Sequence, residues 1–234
     1  APRYNQASLS DVAFYALPYA TVGTTVYIPF TIKPQSSNAS VSGTLAVTIA
    51  QSMNFTDVKQ GDYCYDAVKW AIGKDITKGT SATTFSPNSS CTRAQIVTFL
   101  WRAAGKPTVS ASARCPFTDV YPTMGSDYYH AILWAVSKGI TTGTSTTTFS
   151  PNATCTRGQI VTFLWRYEGK PLAGTSRNPF TDVKTSMGND FYSAILWAAN
   201  RGVASGTTST AFSPNSTCTR GQAMTFIYRD MGNR

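Results

Sequence analysis

The stretch SPNSSCTRAQIVTFLWR occupies residues 86–102 and returns at residues 150–166 as SPNATCTRGQIVTFLWR. A looser third copy, SPNSTCTRGQAMTFIYR, lies at residues 213–229. A tryptophan precedes each copy, and both this tryptophan and the cysteine inside the copy recur at intervals of 64 and 63 residues. Self-similarity at a fixed interval is the signature of a tandem array. The sequence therefore predicts three structural repeats, with boundaries at 51–110, 111–173 and 174–234.

Each repeat is predicted to contain two helices, so the expected fold class is mainly α. Residues 128–140, YYHAILWAVSKGI, represent the first helix, because their apolar side chains recur at helical spacing. A glycine follows a basic residue at the end of this helix (Gly139, and Gly202 in the third repeat), which is typical of a left-handed helix terminus. Repeat 1 carries Asp75 there, a residue that tolerates this conformation less well than glycine.

The second helix of each repeat is predicted to begin with a capping box, in which a threonine is followed three residues later by glutamine. The three pairs are Thr92 and Gln95, Thr156 and Gln159, and Thr219 and Gln222. An arginine follows each threonine, and a cation in the first turn opposes the helix dipole. Local helix energetics therefore leave Arg93, Arg157 and Arg220 unexplained, which favours an anionic partner for them.

Few residues of the chain suit catalysis. His130 is the sole histidine and Glu168 the sole glutamate. The position of His130 varies between repeats, so a surface residue is preferred over a general base. The regularly placed acids Asp119 and Asp182 belong to a repeated PFTDV that looks architectural. No motif for a nucleophile, a phosphate loop, a dinucleotide or a zinc site is present. The sequence indicates a non-enzyme, with no cofactor and no metal.

The charge of the chain favours a polyanionic partner. Lys and Arg number 20 against 11 acidic residues, which gives a net charge of +9. The basic residues are spread singly rather than clustered, so nucleic acid is not expected as a partner. No apolar run approaches the roughly 18 residues of a membrane-spanning helix, and no membrane insertion is expected.

Residues 1–50 differ from the repeats. TVYIPFTIKP (25–34) and SVSGTLAVTIA (40–50) are β-branched and partly alternating, which predicts two antiparallel strands. Two strands cannot bury a core by themselves. We expect this segment to be the end of an immunoglobulin-like β-sandwich or to pair with another protein chain.

The five cysteines leave at least one thiol unpaired in a monomer. Three of them recur just before the capping box, where packing as small apolar residues explains them equally well. The other two, Cys64 and Cys115, fall one each in repeats 1 and 2. This distribution favours the disulfides Cys64–Cys91 and Cys115–Cys155, with Cys218 free.

The motifs in triplicate resemble a triplet of S-layer homology domains. They run in order from Phe-Thr-Asp-Val through a Trp-containing helix and a glycine-containing loop to F-S-P-N and the Thr-Arg motif, and they cover residues 51–234. The resemblance implies a pseudo-threefold, mostly helical array, preceded here by the short β-sandwich fragment. It also implies an extracellular location on the bacterial surface. The expected function is non-catalytic attachment to the cell wall through an anionic, commonly pyruvylated, secondary polysaccharide bound in grooves between repeats.

The resemblance also implies which residues bind the ligand. The family motif Thr-Arg-Ala-Glu assigns this role to Arg93, Arg157 and Arg220. Here Gln replaces Glu in all three copies, which removes a negative charge and should not hinder an anionic ligand, and Gly replaces Ala in two copies. Aromatic groove walls and glycines that allow close approach are expected at Trp70, Trp134, Trp197, Gly79, Gly143 and Gly206. Core packing accounts for each tryptophan at least as well.

Two other functions stay open from the sequence. One is a protein-interaction module that assembles a surface layer through residues 1–50. The other is an accessory region of a hydrolase.

Overall fold

The computed structural model describes residues 25–32, 40–48, 53–110, 113–174 and 177–232. Residues 1–52 and 53–234 form two compact units. The larger unit is built from helices and the smaller one contains a hairpin, so the prediction of a mainly helical chain is confirmed.

In the smaller unit, residues 25–32 and 40–48 are described, and they form an antiparallel β-hairpin. β1 (Thr25–Ile32) pairs with β2 (Val41–Thr48) along their whole length. Phe30 lies opposite Gly43, and its ring fills the space that a side chain on the glycine would need. The two predicted strands are therefore present. The described residues form this single two-stranded sheet, so the β-sandwich stays a prediction.

The described residues of the larger unit form six α-helices, two in each repeat. In chain order they are α1 (Tyr65–Gly73), α2 (Arg93–Ala103), α3 (Ser126–Ser137), α4 (Arg157–Tyr167), α5 (Asn189–Asn200) and α6 (Arg220–Met231). Short 3₁₀ turns at Pro122–Met124 and Thr185–Met187 precede α3 and α5. Within the described part of the chain, no helix has the length and apolar character needed to cross a bilayer.

The first helix of each repeat is followed by a residue with left-handed backbone. The φ angles are 67° at Gly139 and 70° at Gly202. Asp75 has a φ of 54°, as its position in repeat 1 predicts. Its carboxylate forms an ion pair with Lys106 at 2.8 Å. The repeat thus keeps this helix terminus even where glycine is absent.

A continuous hydrophobic core runs through all three repeats. Phe149 is fully enclosed and packs against Phe117 of the PFTDV motif, with ring centroids 5.8 Å apart. Both carboxylate oxygens of Asp119 accept backbone N–H groups, from Phe149 at 2.8 Å and from Ser150 at 2.7 Å. The equivalent aspartates of the other repeats make the same pair of bonds. These contacts support the architectural interpretation of the motif.

Backbone hydrogen bonds join the three repeats in a ring. Cys91 N–H donates to the carbonyl of Cys218 at 3.1 Å, Cys155 N–H to that of Cys91 at 2.9 Å, and Cys218 N–H to that of Cys155 at 2.9 Å. All five cysteines are free. In the structure neither Cys64–Cys91 nor Cys115–Cys155 is a disulfide, and the pairing of these cysteines stays a prediction.

Candidate functional site

The second helix of each repeat begins with a complete capping box. In α2, Thr92 Oγ1 accepts the N–H of Gln95 at 3.3 Å, and Gln95 Oε1 accepts the N–H of Thr92 at 3.0 Å. The equivalent pairs at the start of α4 and α6 make both bonds as well. The Thr-x-x-Gln spacing thus fixes where each of these helices begins.

The first turn of each of these helices is also bonded to another repeat. Arg93 N–H donates to the carbonyl of Ala153 at 2.9 Å, and Ala94 N–H to that of Pro151 at 3.1 Å. The same two bonds recur at the start of α4 and of α6. The backbone donors that could bind an anion at a helix N-terminus are therefore already occupied. An anion at these junctions has to be bound by side chains.

The motif arginines are buried between phenylalanine rings. Arg93 is 4% exposed, and its Nε donates to the carbonyl of Phe149 at 2.9 Å. Its guanidinium carbon lies 4.7 Å from the ring centroid of Phe149 and 5.4 Å from that of Phe163. Arg157 and Arg220 repeat this arrangement with equivalent phenylalanines. Each arginine thus ties its own repeat to the next one.

Each of these arginines lies beside a cysteine of the ring. The pairs are Arg93 with Cys155, Arg157 with Cys218, and Arg220 with Cys91. Desolvation lowers the pKa of all three arginines, because burial disfavours their charged form. Burial also raises the pKa of Cys91 to about 11 and that of Cys155 to about 12. The thiols therefore stay neutral near pH 7 and act as small apolar neighbours of the guanidinium groups.

A cleft lies beside the start of α2, α4 and α6, where two repeats meet. Cleft 1, at α2, has a volume of about 440 Å³, and cleft 2 at α4 and cleft 3 at α6 have about 390 Å³ each. Each is lined by the two capping residues and by an asparagine from the SPN turn of another repeat. These triplets are Thr92, Gln95 and Asn152; Thr156, Gln159 and Asn215; and Thr219, Gln222 and Asn88.

The three clefts differ in the other side chains that line them. Cleft 1 contains the ring of Tyr128 and the carboxylate of Asp119. Cleft 2 contains the ring of Phe191, and none of its described lining residues is charged. Cleft 3 contains Arg157 and Arg229. The three clefts thus share their threonine, glutamine and asparagine residues but differ in the charged side chains that line them.

Glycine in place of alanine lets aromatic residues approach two of the helices. A Cβ on Gly158 would collide with the ring of Phe191 in cleft 2. A Cβ on Gly221 would lie 2.5 Å from the hydroxyl oxygen of Tyr63 in cleft 3. The helix at cleft 1 carries Ala94 instead. The departure from the Thr-Arg-Ala motif therefore reshapes clefts 2 and 3.

The predicted tryptophans lie outside these three clefts. Trp134 and Trp197 are 2% and 3% exposed, and Trp70 is half-buried. The Trp134 ring packs on Tyr167 with centroids 5.9 Å apart, and the Trp70 ring packs on Tyr228 at 5.5 Å. Trp134 also borders a further cleft near the ends of α2 and α4. The burial of Trp134 and Trp197 supports core packing, and contact of the three tryptophans with a sugar stays a prediction.

The loop glycines are required by contacts within the protein. A Cβ on Gly79 would lie 2.5 Å from the ring of Phe55, and one on Gly143 would lie 2.5 Å from that of Phe117. Gly206 makes the equivalent contact and also borders cleft 3. The phenylalanine contacts explain why glycine is needed at these positions, and approach of a ligand to them stays a prediction.

Arg229 and Tyr63 were not identified from the sequence, although a signal for them exists. An arginine ends each copy of the repeated stretch, and two of these, Arg102 and Arg166, pair with aspartates at 2.6 and 3.0 Å. The position of those aspartates, seven residues before the tryptophan, is occupied by Tyr63 in repeat 1. A comparison of the three repeats at that position would have revealed the difference.

His130, the histidine considered as a general base, is not among the described residues that line the three clefts. His130 is exposed, as predicted, and its Nδ1 lies 3.2 Å from Ser126 Oγ. Among the residues that the structure describes, no three His, Cys, Asp or Glu side chains are placed to hold a metal ion.

The family model of the S-layer homology domain matches residues 54–97, 116–161 and 179–224, which together make up more than half of the chain. The chain belongs to the S-layer homology domain family. This confirms the resemblance drawn from the repeated motifs. Membership of the S-layer homology family indicates a cell-surface, cell-wall-associated protein.

Relatives of this S-layer homology chain are longer proteins. It is 26% identical over 193 residues to an S-layer protein of Bacillus thuringiensis subsp. finitimus, covering 81% of the chain and 22% of that protein. It is 36% identical over 112 residues to an endoglucanase of Bacillus sp. (strain KSM-635), covering 48% of the chain and 11% of the enzyme. It is 26% identical over 181 residues to an amylopullulanase of Thermoanaerobacterium thermosulfurigenes, covering 74% of the chain and 9% of the enzyme. The chain thus spans less than a quarter of each relative.

Proposed function

We propose that residues 53–234 anchor an exported bacterial protein to the cell wall by binding an anionic, pyruvylated secondary polysaccharide in the clefts between repeats. The observation that carries the proposal is the cleft beside each capping box of an S-layer homology array. The net charge of +9 attracts an anionic polymer toward these clefts. The hydrogen-bond ring supports the pseudo-threefold arrangement that the proposal assumes.

The proposal requires no catalytic step. Two of the relatives are enzymes, but the chain spans only 11% and 9% of their lengths. In this proposal the chain supplies attachment, whatever the activity of the protein that it belongs to. Three binding clefts on one rigid body strengthen attachment to a repetitive polymer through multivalency.

The motif arginines have two roles in the proposal. Arg157 contacts the ligand, because it lines cleft 3 and a planar guanidinium can donate paired hydrogen bonds to a carboxylate. Arg93 and Arg220 keep the walls of the other clefts in place through their bonds to backbone carbonyls. Their direct contact with a ligand stays a prediction.

Co-sedimentation of the full chain with purified wall sacculi tests this function. We expect binding to intact sacculi, loss of binding after acid extraction of the secondary polymer, and weaker binding to polymer from which the pyruvyl groups have been removed. Sacculi that bind equally well after extraction would show that the polysaccharide is not the partner.

A protein partner is a second candidate, because the hairpin exposes aromatic residues. Tyr27 is 70% exposed and Phe30 is 37% exposed. An isolated two-stranded hairpin is marginally stable, which favours its pairing with further strands of the same protein or of another chain. Tyr27→Ser should leave binding to sacculi unchanged if the polysaccharide is the partner. Reduced binding to sacculi would favour a wall protein.

A further inference from the structure

The three clefts are not equivalent, and we infer that anionic groups of the wall polymer bind in cleft 3, with Arg229 as a ligand-contacting residue. This inference rests on the proposed function of polysaccharide binding. Arg229 lies in the last turn of α6, outside the Thr-Arg-Gly-Gln motif at the start of that helix.

Side-chain charge separates cleft 3 from the other two. Because backbone bonds to another repeat occupy the first-turn N–H groups, the side chains alone decide whether an anion is attracted. The described lining of cleft 1 contains one acidic residue, Asp119, and no basic residue. The described lining of cleft 2 is uncharged, and the ring of Phe191 covers the first turn of its helix. Cleft 3 is lined by two basic residues, the buried Arg157 and the exposed Arg229, and by no acidic residue among those described.

Arg229 lacks the partner that its counterparts have. Arg102 forms an ion pair with Asp127 at 2.6 Å, and Arg166 forms one with Asp190 at 3.0 Å, each joining two repeats. In the sequence of repeat 1, Tyr63 stands at the position of these aspartates, and its hydroxyl lies beside Gly221 at the start of α6. Arg229 is exposed and makes no ion pair with any residue that the structure describes. Its charge is therefore available to a ligand.

The two arginines lie in an elongated groove with neutral polar groups. Cleft 3 follows α6 from Thr219 to Arg229, a distance of about 15 Å for ten residues of helix. Arg157 is held in place because its Nη2 donates to the carbonyl of Ser205 at 2.6 Å. The hydroxyl of Tyr63 and the amide of Asn88 supply uncharged hydrogen-bonding groups suited to sugar hydroxyls. This combination suits an acidic saccharide better than a neutral one.

The test measures binding of a methyl hexoside carrying a pyruvyl ketal to the full chain by isothermal titration calorimetry. The methyl ester of the same ketal serves as the uncharged probe. We expect the wild-type chain to bind the acid more tightly than the ester, and Arg229→Gln to weaken binding of the acid about tenfold, the effect of one charge-assisted hydrogen bond. Arg102→Gln is the matched control. It removes an arginine from the equivalent position and should leave binding of the acid unchanged.

A second pair of variants keeps Arg229 and instead adds a carboxylate that can neutralise its charge. Tyr63→Asp places a carboxylate in cleft 3 at the sequence position of Asp127 and Asp190, and Tyr63→Asn removes the same ring without adding charge. We expect Tyr63→Asp to bind the acid about tenfold more weakly than Tyr63→Asn, with no such difference for the ester. Far-UV circular dichroism of each variant establishes that it is folded.

The possible results separate this inference from the proposed function. If the acid binds the wild-type chain but Arg229→Gln binds it equally well, the inference is wrong and polysaccharide binding stands. It is also wrong if the wild-type chain binds sacculi but not the acid probe, or if both arginine variants weaken binding equally. A wild-type chain that binds neither sacculi nor probe overturns the proposed function itself.

Discussion

Replacing Arg157 by lysine should destabilise the larger unit by about 2–4 kcal/mol, although the charge is kept. The guanidinium donates to the carbonyl of Phe212 at 3.0 Å and to that of Ser205 at 2.6 Å. A hydrogen bond from a charged donor contributes about 1.5–3 kcal/mol, and a lysine ammonium can replace one of the two at best. It also loses the flat contact with the rings of Phe212 and Phe226. For a unit of this size the unfolding temperature should fall by roughly 5–15 °C.

Urea denaturation of the full chain, followed by far-UV circular dichroism, measures this loss. Arg201→Lys is the control, because Arg201 is an exposed residue at the end of α5. The control should change the free energy of unfolding by less than about 0.5 kcal/mol. If Arg157→Lys were as stable as the control, the buried hydrogen bonds would not be what requires arginine, and ligand binding alone would account for the motif.

Three further outcomes are expected. Gly79→Ala should lower the free energy of unfolding by about 2–4 kcal/mol and Gly105→Ala by about 1 kcal/mol, as measured by urea denaturation. Both glycines have a φ of +84°, but only the new side chain at position 79 would collide with its neighbours. Equal losses for the two variants would refute this packing argument. A thiol reagent should label half-buried Cys115 first and all five thiols after unfolding, whereas labelling of Cys218 alone would reveal the disulfides. Burial opposes ionisation of Asp190, but hydrogen bonds from its cationic neighbours outweigh this and lower its pKa. Its stabilising effect should therefore be present above about pH 4 and be lost as the pH falls through the folded pKa, and Asp190→Asn should reduce this acid sensitivity in pH-dependent denaturation.

Features that depend on neighbouring residues could be predicted from the sequence. Thr92 and Gln95 form a capping box because the motif and its bonds lie within one helical turn. Asp75 adopts left-handed backbone because it follows a helix at the position that glycine has in the other repeats. The two helices of each repeat could be predicted because every copy of the repeat carries residues that start and end a helix.

Features that depend on contacts between repeats could not be predicted in this way. The carbonyl that accepts from Arg220 belongs to Phe85, which lies 135 residues away in the chain. The residues next to Arg220 in the sequence do not show whether its side chain bonds to a distant carbonyl or contacts a ligand. The placement of Trp134 in the core and the approach of Tyr63 to α6 likewise depend on how the helices pack. Which side chains share a cleft is therefore a property of the assembled array.

The hydrogen-bond ring of Cys91, Cys155 and Cys218 constrains how this protein can evolve. In an open solenoid each repeat touches only its neighbours, so single repeats can be gained or lost. Here the third repeat bonds to the first as well as to the second. A fourth repeat could enter only by breaking one of these bonds, and the loss of one repeat would leave a donor and an acceptor unpaired. Gain or loss of a single repeat would therefore require this ring to open and its backbone bonds to be replaced.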